Sequence, residues 1–276
     1  MAERIDITDP ADRRLDDFRD LVTADRRPDR PGGRGLVIAE GVVVVRRLLQ
    51  SPYLIRGLLG VARRYDELAD DLSTQAVPYF VVEPELMAEV VGFHLNRGVL
   101  ATANRAAPPS PNELISRATA LAVLEGVGDH ENLGSIFRSA AALGIDGILL
   151  GAGCADPLYR RSVRVSMGTV LQIPFAPLPG WPAGGADLLR AHGFRLAALT
   201  PRASAIPLVA AGLSQGRVAV VLGSEGPGLT DEALAAADLQ VRIPMSRGID
   251  SLNVGTAAAI AFAALSRQVP AGWDGS

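Results

Sequence analysis

The sequence predicts an α/β protein in two parts: a small N-terminal α/β unit and a larger C-terminal domain built on a parallel sheet. Three observations predict it. Short apolar, strand-like runs alternate with helical patterns along most of the chain, a proline-rich segment interrupts that alternation at Asn104–Asn112 (NRAAPPSPN), and polar, glycine-rich clusters follow the strands of the C-terminal half. Strands separated by helical stretches are joined by crossovers, so neighbouring strands run parallel. In such sheets ligands gather in the loops at the carboxyl ends of the strands. With 276 residues the chain exceeds the usual size of one domain.

Residues 1–34 are rich in Asp and Arg and end in Pro28, Pro31, Gly32 and Gly33, so they are expected to form an amphipathic helix followed by a mobile loop. Residues 35–103 make the small unit. In it Leu36–Ala39, Tyr79–Val82 and Gly98–Thr102 have the apolar runs of strands, and Glu40–Gln50, Arg63–Leu72 and Glu85–Val91 have helical spacing. Residues 104–112, with three prolines in nine positions, are the expected linker. From 113 to 276 the alternation restarts. Ala120–Glu125, Gly147–Leu150, Arg195–Leu199, Val218–Leu222 and Leu239–Ile243 are expected strands, with helices at about Leu133–Leu143 and at Leu252–Leu265.

Composition narrows the function classes. Apolar residues are 48% and charged residues 21%, ordinary for a chain that builds a sizeable core. The longest apolar stretch, Val254–Leu265, is too short to span a bilayer, and the first thirty residues lack the apolar core of a signal peptide, so a cytoplasmic protein is expected. The single cysteine, Cys154, excludes an internal disulfide. The net charge of −3 gives no global attraction to nucleic acid. All 27 basic residues are arginine, which excludes Schiff-base chemistry and a phosphate-loop lysine. The three histidines, His94, His130 and His192, are isolated, and no metal site is expected.

Three segments carry the candidate chemistry: GDHENLGSIFRSAAALG at 128–144, VLGSEGPGL at 221–229 and IPMSRGIDSLNVGTAAAIA at 243–261. Taken one at a time they have plain structural explanations. Asn132 and Ser251 stand where helix caps stand, Arg138 suits a solvated face, and the glycines around Glu225 suit a tight turn. A dinucleotide-binding fingerprint is absent, since Gly151-Ala152-Gly153 lacks the third glycine, and that removes a nicotinamide-dependent oxidoreductase.

Taken together and in order, the three segments resemble the motifs of the SpoU family of RNA 2′-O-ribose methyltransferases, within the SPOUT superfamily. The first motif is matched by Asn132, Gly134, Arg138 and Ala140, and the second by Gly223, Glu225 and Gly228. The third is matched by Ile243, Pro244 and Met245, then by Ser251, Leu252, Asn253 and Val254. Tyr159–Gly168 is similar to the segment between the first two motifs. His130 and Glu131 stand where Pro-Gly is frequent, and Gly255 stands where serine is frequent. Residues 36–102 look like the ribosomal-protein-like substrate-binding domain attached to many members.

The resemblance implies a catalytic domain with a deep C-terminal trefoil knot, S-adenosylmethionine as the methyl donor, and a homodimer formed through the catalytic domain. It also implies methylation of structured RNA, with large-subunit ribosomal RNA as the expected substrate and transfer RNA or non-catalytic RNA binding as the alternatives. Arg138 is then the expected activator of the ribose hydroxyl, with Asn132, Glu225, Ser251 and Asn253 positioning it and the nucleotide. Gly223, Gly228, Ile243 and Leu252, with Leu199 and Thr200, are expected at the cofactor. Arg160, Arg161 and Arg164 are expected to contact RNA phosphates.

Overall fold

The computed structural model describes residues 2–21, 35–246 and 249–265. By their contacts these residues form two compact units. One comprises residues up to 107 together with 156–172, and the other comprises 108–155 and everything from 173. The stretch 156–172, which lies between the first two motifs, packs with the N-terminal unit.

In the N-terminal unit, β1 (Glu3–Asp6), β2 (Leu36–Glu40), β3 (Ile55–Gly60), β4 (Pro78–Val81) and β5 (Val99–Asn104) form a mixed sheet in the order β1-β4-β3-β5-β2. β5 runs antiparallel to both β2 and β3. α1 (Val42–Leu49), α2 (Ala62–Glu67), α3 (Ala69–Leu72) and α4 (Pro84–Val91) accompany it. α4 begins at a proline and ends at Gly92, whose φ of 84° is left-handed.

Residues 2–21 do not show the expected amphipathic helix. Before residue 22 they hold β1, an edge strand on β4, and a 3-10 turn at Arg13–Phe18 whose Leu15 and Phe18 are buried against α4. The remainder, 22–34, lies outside the described residues. β3, a central strand, was not expected, because Gly57 and Gly60 interrupt its apolar run.

In the other unit, α5 (Pro111–Arg117) leads into a seven-stranded sheet. Its strands are β6 (Ala120–Leu124), β7 (Gly147–Leu150), β8 (Phe175–Pro177), β9 (Phe194–Leu199), β10 (Ile206–Pro207), β11 (Arg217–Leu222) and β12 (Leu239–Arg242). The order is β10-β12-β9-β11-β6-β7-β8, and every pairing is parallel. α6 (His130–Leu143) follows β6, α8 (Ala183–Ala191) precedes β9, α9 (Asp231–Ala236) precedes β12, and α10 (Val254–Leu265) ends the described chain. α7 (Arg160–Val165) belongs to the N-terminal unit.

The central strands are buried on both faces. Leu121, Val123, Leu196, Ala198, Ala219 and Val221 lie within one apolar cluster, which is what parallel strands between helix layers require. β11 lies between β6 and β9, so the loops that follow β6, β9 and β11 emerge side by side. No helix among the described residues is long and apolar enough to cross a membrane.

Candidate active site

The site is built where β6 and β11 end. Backbone from Glu125 to Leu222 ties the two strand ends together at 2.9 Å. Beyond β6 the chain turns into α6, and the side chain of Asp129, not Asn132, caps that helix. Its Oδ1 accepts from the amides of Glu131 and Asn132 at 2.8 and 2.9 Å. This corrects the reading of Asn132 as a cap and leaves its carboxamide free for other partners.

Those partners come from the other two motifs. Asn132 Nδ2 donates to Glu225 Oε1 at 2.6 Å, Asn253 Nδ2 donates to Asn132 Oδ1 at 2.8 Å, and Asn253 Nδ2 also reaches Glu225 Oε1 at 3.1 Å. Asn132 thus closes a three-membered ring of hydrogen bonds with two residues 93 and 121 positions away. Asn253 has a second task, because its Oδ1 accepts from the amide of Thr256 and so caps α10. α10 accordingly begins at Val254, and the cap expected of Ser251 is moved to Asn253. Ser251 stays outside the ring; its hydroxyl lies 3.5 Å from Asp250.

Beside the ring is a cavity of about 370 Å³. All six residues expected at a cofactor, Leu199, Thr200, Gly223, Gly228, Ile243 and Leu252, line it, and so do Glu225, Ser251 and Asn253. Gly223 has a steric reason to be glycine. A Cβ there would meet the carbonyl carbon of Gly228 and the amide of Leu229 at 2.4 Å, because the loop folds back over the strand end. The loop is closed further by Ser224 Oγ, 3.2 Å from the carbonyl of Gly228. Gly226 and Gly228 take φ of 88° and 75°, a conformation that other residues adopt only with strain.

Arg138 is not brought to this cavity. It sits six residues beyond Asn132, about 9 Å along the helix axis, on the exposed side of α6. The opposite side of α6 buries Leu133, Ile136, Phe137 and Ala140. α10 packs against α6, and the close approach falls at Gly255. A Cβ there would stand 2.9 Å from Ser135 Oγ. The family position often filled by serine is therefore glycine here because Ser135 occupies the space.

The three expected RNA contacts divide. Arg161 and Arg164 are exposed, but Arg160 turns inward within the N-terminal unit. Its guanidinium lies 3.6 Å from the buried carboxylate of Glu40 and 4.9 Å from the centre of the Phe93 ring. Burial lowers the pKa of Arg160 and the charge of Glu40 opposes that shift. Arg160 holds α7 against the unit's own sheet, in place of the phosphate contact expected of it. Among the described residues no group of three His, Cys, Asp or Glu could hold a metal ion.

Residues 119–263, more than half of the chain, match the model of the SpoU rRNA methylase family. The chain belongs to that family. A tRNA/rRNA methyltransferase of Mycobacterium tuberculosis is 56% identical to this SpoU protein over 259 residues, covering 93% of this chain and 90% of its own. The 23S rRNA (guanosine(2553)-2′-O)-methyltransferase RlmP of Bacillus subtilis is 27% identical over 81% of this chain and 85% of its own. Among solved structures, an AdoMet-bound rRNA methyltransferase from Sinorhizobium meliloti superposes with a TM-score of 0.80, covering 95% of this chain and 97% of its own. At 23% identity that likeness shows the shared fold.

S-adenosylmethionine, the donor that a SpoU methylase implies, fits the residues present. Leu199, Ile243 and Leu252 offer apolar walls to an adenine ring, and the crowding at Gly223 brings backbone polar groups to the cavity edge. Glu225 is the carboxylate lining it, suited to a cationic sulfonium. Sequence reasoning missed Asp129 as the cap of α6, and it missed Glu125 and Trp181, which flank the same loop. The signal for Glu125 was available: a carboxylate ends the otherwise apolar strand sequence ALAVLE.

Proposed function

We propose that this SpoU enzyme methylates a ribose 2′-hydroxyl of RNA from S-adenosylmethionine in the cytoplasm, with large-subunit ribosomal RNA ahead of transfer RNA as its substrate. The observation that carries this reading is the ring of Asn132, Glu225 and Asn253 at the edge of the cavity lined by Gly223, Ile243 and Leu252. The ribosomal substrate has its support in the name of the B. subtilis relative.

Bound S-adenosylmethionine supplies an electrophilic methyl group: the ribose oxygen forms the new C–O bond while the S–C bond breaks and its electron pair returns to sulfur. The hydroxyl proton goes to water or to a substrate phosphate. The protein's part is alignment, which can contribute roughly 7–11 kcal/mol to lowering such a barrier. The ring supplies that alignment. Glu225 accepts from both carboxamides, so Asn132 and Asn253 hold fixed orientations instead of turning freely.

Arg138 stabilises the oxygen as its proton leaves. A guanidinium is a permanent cation, so it does this by its charge and not as a base. Because Arg138 is exposed and does not line the cavity of its own chain, it acts in a homodimer, on the cofactor held by a second copy. Support for that assembly comes from Ile260 on α10, which is 38% exposed on a helix otherwise rich in alanine. Ribose methylation is tested by incubating the protein with tritiated S-adenosylmethionine and purified ribosomal or transfer RNA, then mapping the methylated position. Label on a base, or on no RNA at all, refutes it.

A further inference from the structure

A second cavity, of about 390 Å³, shares Ser224 and Gly228 with the cofactor cavity and is lined also by Glu125 and Gly126, which follow β6. Its walls include Trp181, Pro182, Pro227 and Leu229, and Trp181 is held with unusual firmness for a partly exposed side chain. The indole Nε1 donates to Glu125 Oε2 at 2.5 Å, and the other carboxylate oxygen of Glu125 accepts from the amide of Thr230 at 2.8 Å. Glu125 is itself only 9% exposed. Two glycines make the seat for the ring. A Cβ at Gly151 would stand 2.8 Å from Trp181 Cδ1, and one at Gly185 would stand 3.0 Å from Cε3.

Glu125 therefore ties both sides of the cavity together, one through Trp181 and the other through the cap of α9 at Thr230. A rigid indole costs little further entropy when a ligand stacks on it. The charged residues lining the cavity are Glu125 and Glu232, and no arginine lines it. It is thus unsuited to a phosphate and suited to a flat, neutral ring with N–H donors at its edge. Bases of single-stranded or looped RNA are commonly held by stacking on aromatic side chains.

Resting on the RNA-methylation reading above, we infer that this cavity receives the nucleobase of the RNA nucleotide at or beside the methylated one. Trp181 is its stacking platform and Glu125 the positioning residue that holds the platform. The Ser224–Gly228 loop then has the methyl donor against one side and the base against the other, which sets the distance between ribose and donor.

The test uses the full chain carrying Trp273→Phe, so that Trp181 is the sole tryptophan. Its fluorescence is followed during titration with each of the four nucleoside 5′-monophosphates and with ribose 5-phosphate, which lacks a base. Saturable quenching by at least one nucleotide and none by ribose 5-phosphate is expected. In methylation of purified ribosomal and transfer RNA, Trp181→Ala should raise the KM for RNA about 10-fold, the scale of one lost stacking contact. Trp181→Phe should restore most of it, and the Kd for S-adenosylmethionine should stay unchanged. Glu125→Gln should raise the KM for RNA by less than Trp181→Ala does. Absence of quenching, or a KM for RNA within twofold of wild type in a folded Trp181→Ala protein, overturns the inference. Absence of S-adenosylmethionine binding in the wild-type protein overturns instead the reading on which it rests, while the nucleotide titration still decides whether the cavity binds a base.

Discussion

Asn132 Nδ2 and Glu225 Oε1 stand 2.6 Å apart, although 93 residues separate them in the chain. The same oxygen accepts from Asn253, so one carboxylate orients two carboxamides. Glu225→Ala should lower turnover about 10²-fold, the scale reported when one positioned polar group is removed from an active site. Glu225→Gln keeps an acceptor oxygen and should retain more activity than Glu225→Ala. Equal losses in the two variants would show that charge matters and the hydrogen-bonded ring does not.

Gly223→Ala should abolish tight binding of S-adenosylmethionine, because its methyl group would lie 2.4 Å from backbone atoms of Gly228 and Leu229 and force the loop to open. Overpacking of this kind costs about 1–3 kcal/mol, which a melting curve detects. Calorimetry on the full chain checks the binding. The full chain is the right sample, since 156–172 packs with the N-terminal unit and a fragment from 113 onward would lose that support.

Arg138→Ala should lose about 10²-fold or more in turnover with little change in S-adenosylmethionine affinity, because Arg138 does not line the cavity. Mixing it with Gly223→Ala subunits should restore part of the activity through hybrid dimers, in which one site keeps both an intact loop and an intact arginine. No recovery after subunit exchange would place Arg138 in its own chain's reaction.

Ile260→Arg should convert the proposed homodimer to a monomer, as seen by sedimentation velocity at micromolar concentration. A dimer of that kind buries on the order of 2,000 Å² or more, and a charge in its apolar middle is costly. A wild-type protein that is monomeric and fully active would refute the dimer.

Cys154 should resist alkylation in the folded protein. Burial pushes its thiol pKa up, and hydrogen bonds from nearby backbone only partly oppose that shift. At pH 8 the thiol therefore stays protonated, and thiolate, the reactive form, is scarce. Iodoacetamide labelling followed by mass spectrometry should be slow without denaturant and fast with it.

The central strands were legible from sequence. β6, β7, β9, β11 and β12 stand out as apolar runs followed by polar or glycine-rich loops, because strands buried on both faces admit little else. β3 was not, since glycines break its pattern. The edge strands β1, β8 and β10 were not either, because an edge strand needs only one neighbour and few apolar residues. Part of the cavity was legible through its motifs, in Gly223, Glu225, Gly228, Ile243, Ser251, Leu252 and Asn253. The exchange of caps, from Asn132 to Asp129 and from Ser251 to Asn253, was not, since several residues near each helix start had a side chain able to cap it.

By itself the sequence determined the α/β class, the family, and part of the cavity's lining. All three depend on residue type and order, which the motifs carry directly. Only the tertiary structure decided which side chains meet. It closed the ring of Asn132, Glu225 and Asn253, turned Arg160 inward to Glu40, left Arg138 exposed and outside the lining of its own cavity, and assigned 156–172 to the N-terminal unit. The reason is that each of these depends on the direction a side chain or segment takes once distant strands are paired. That direction is set by packing against partners far away in the chain, which local pattern does not encode.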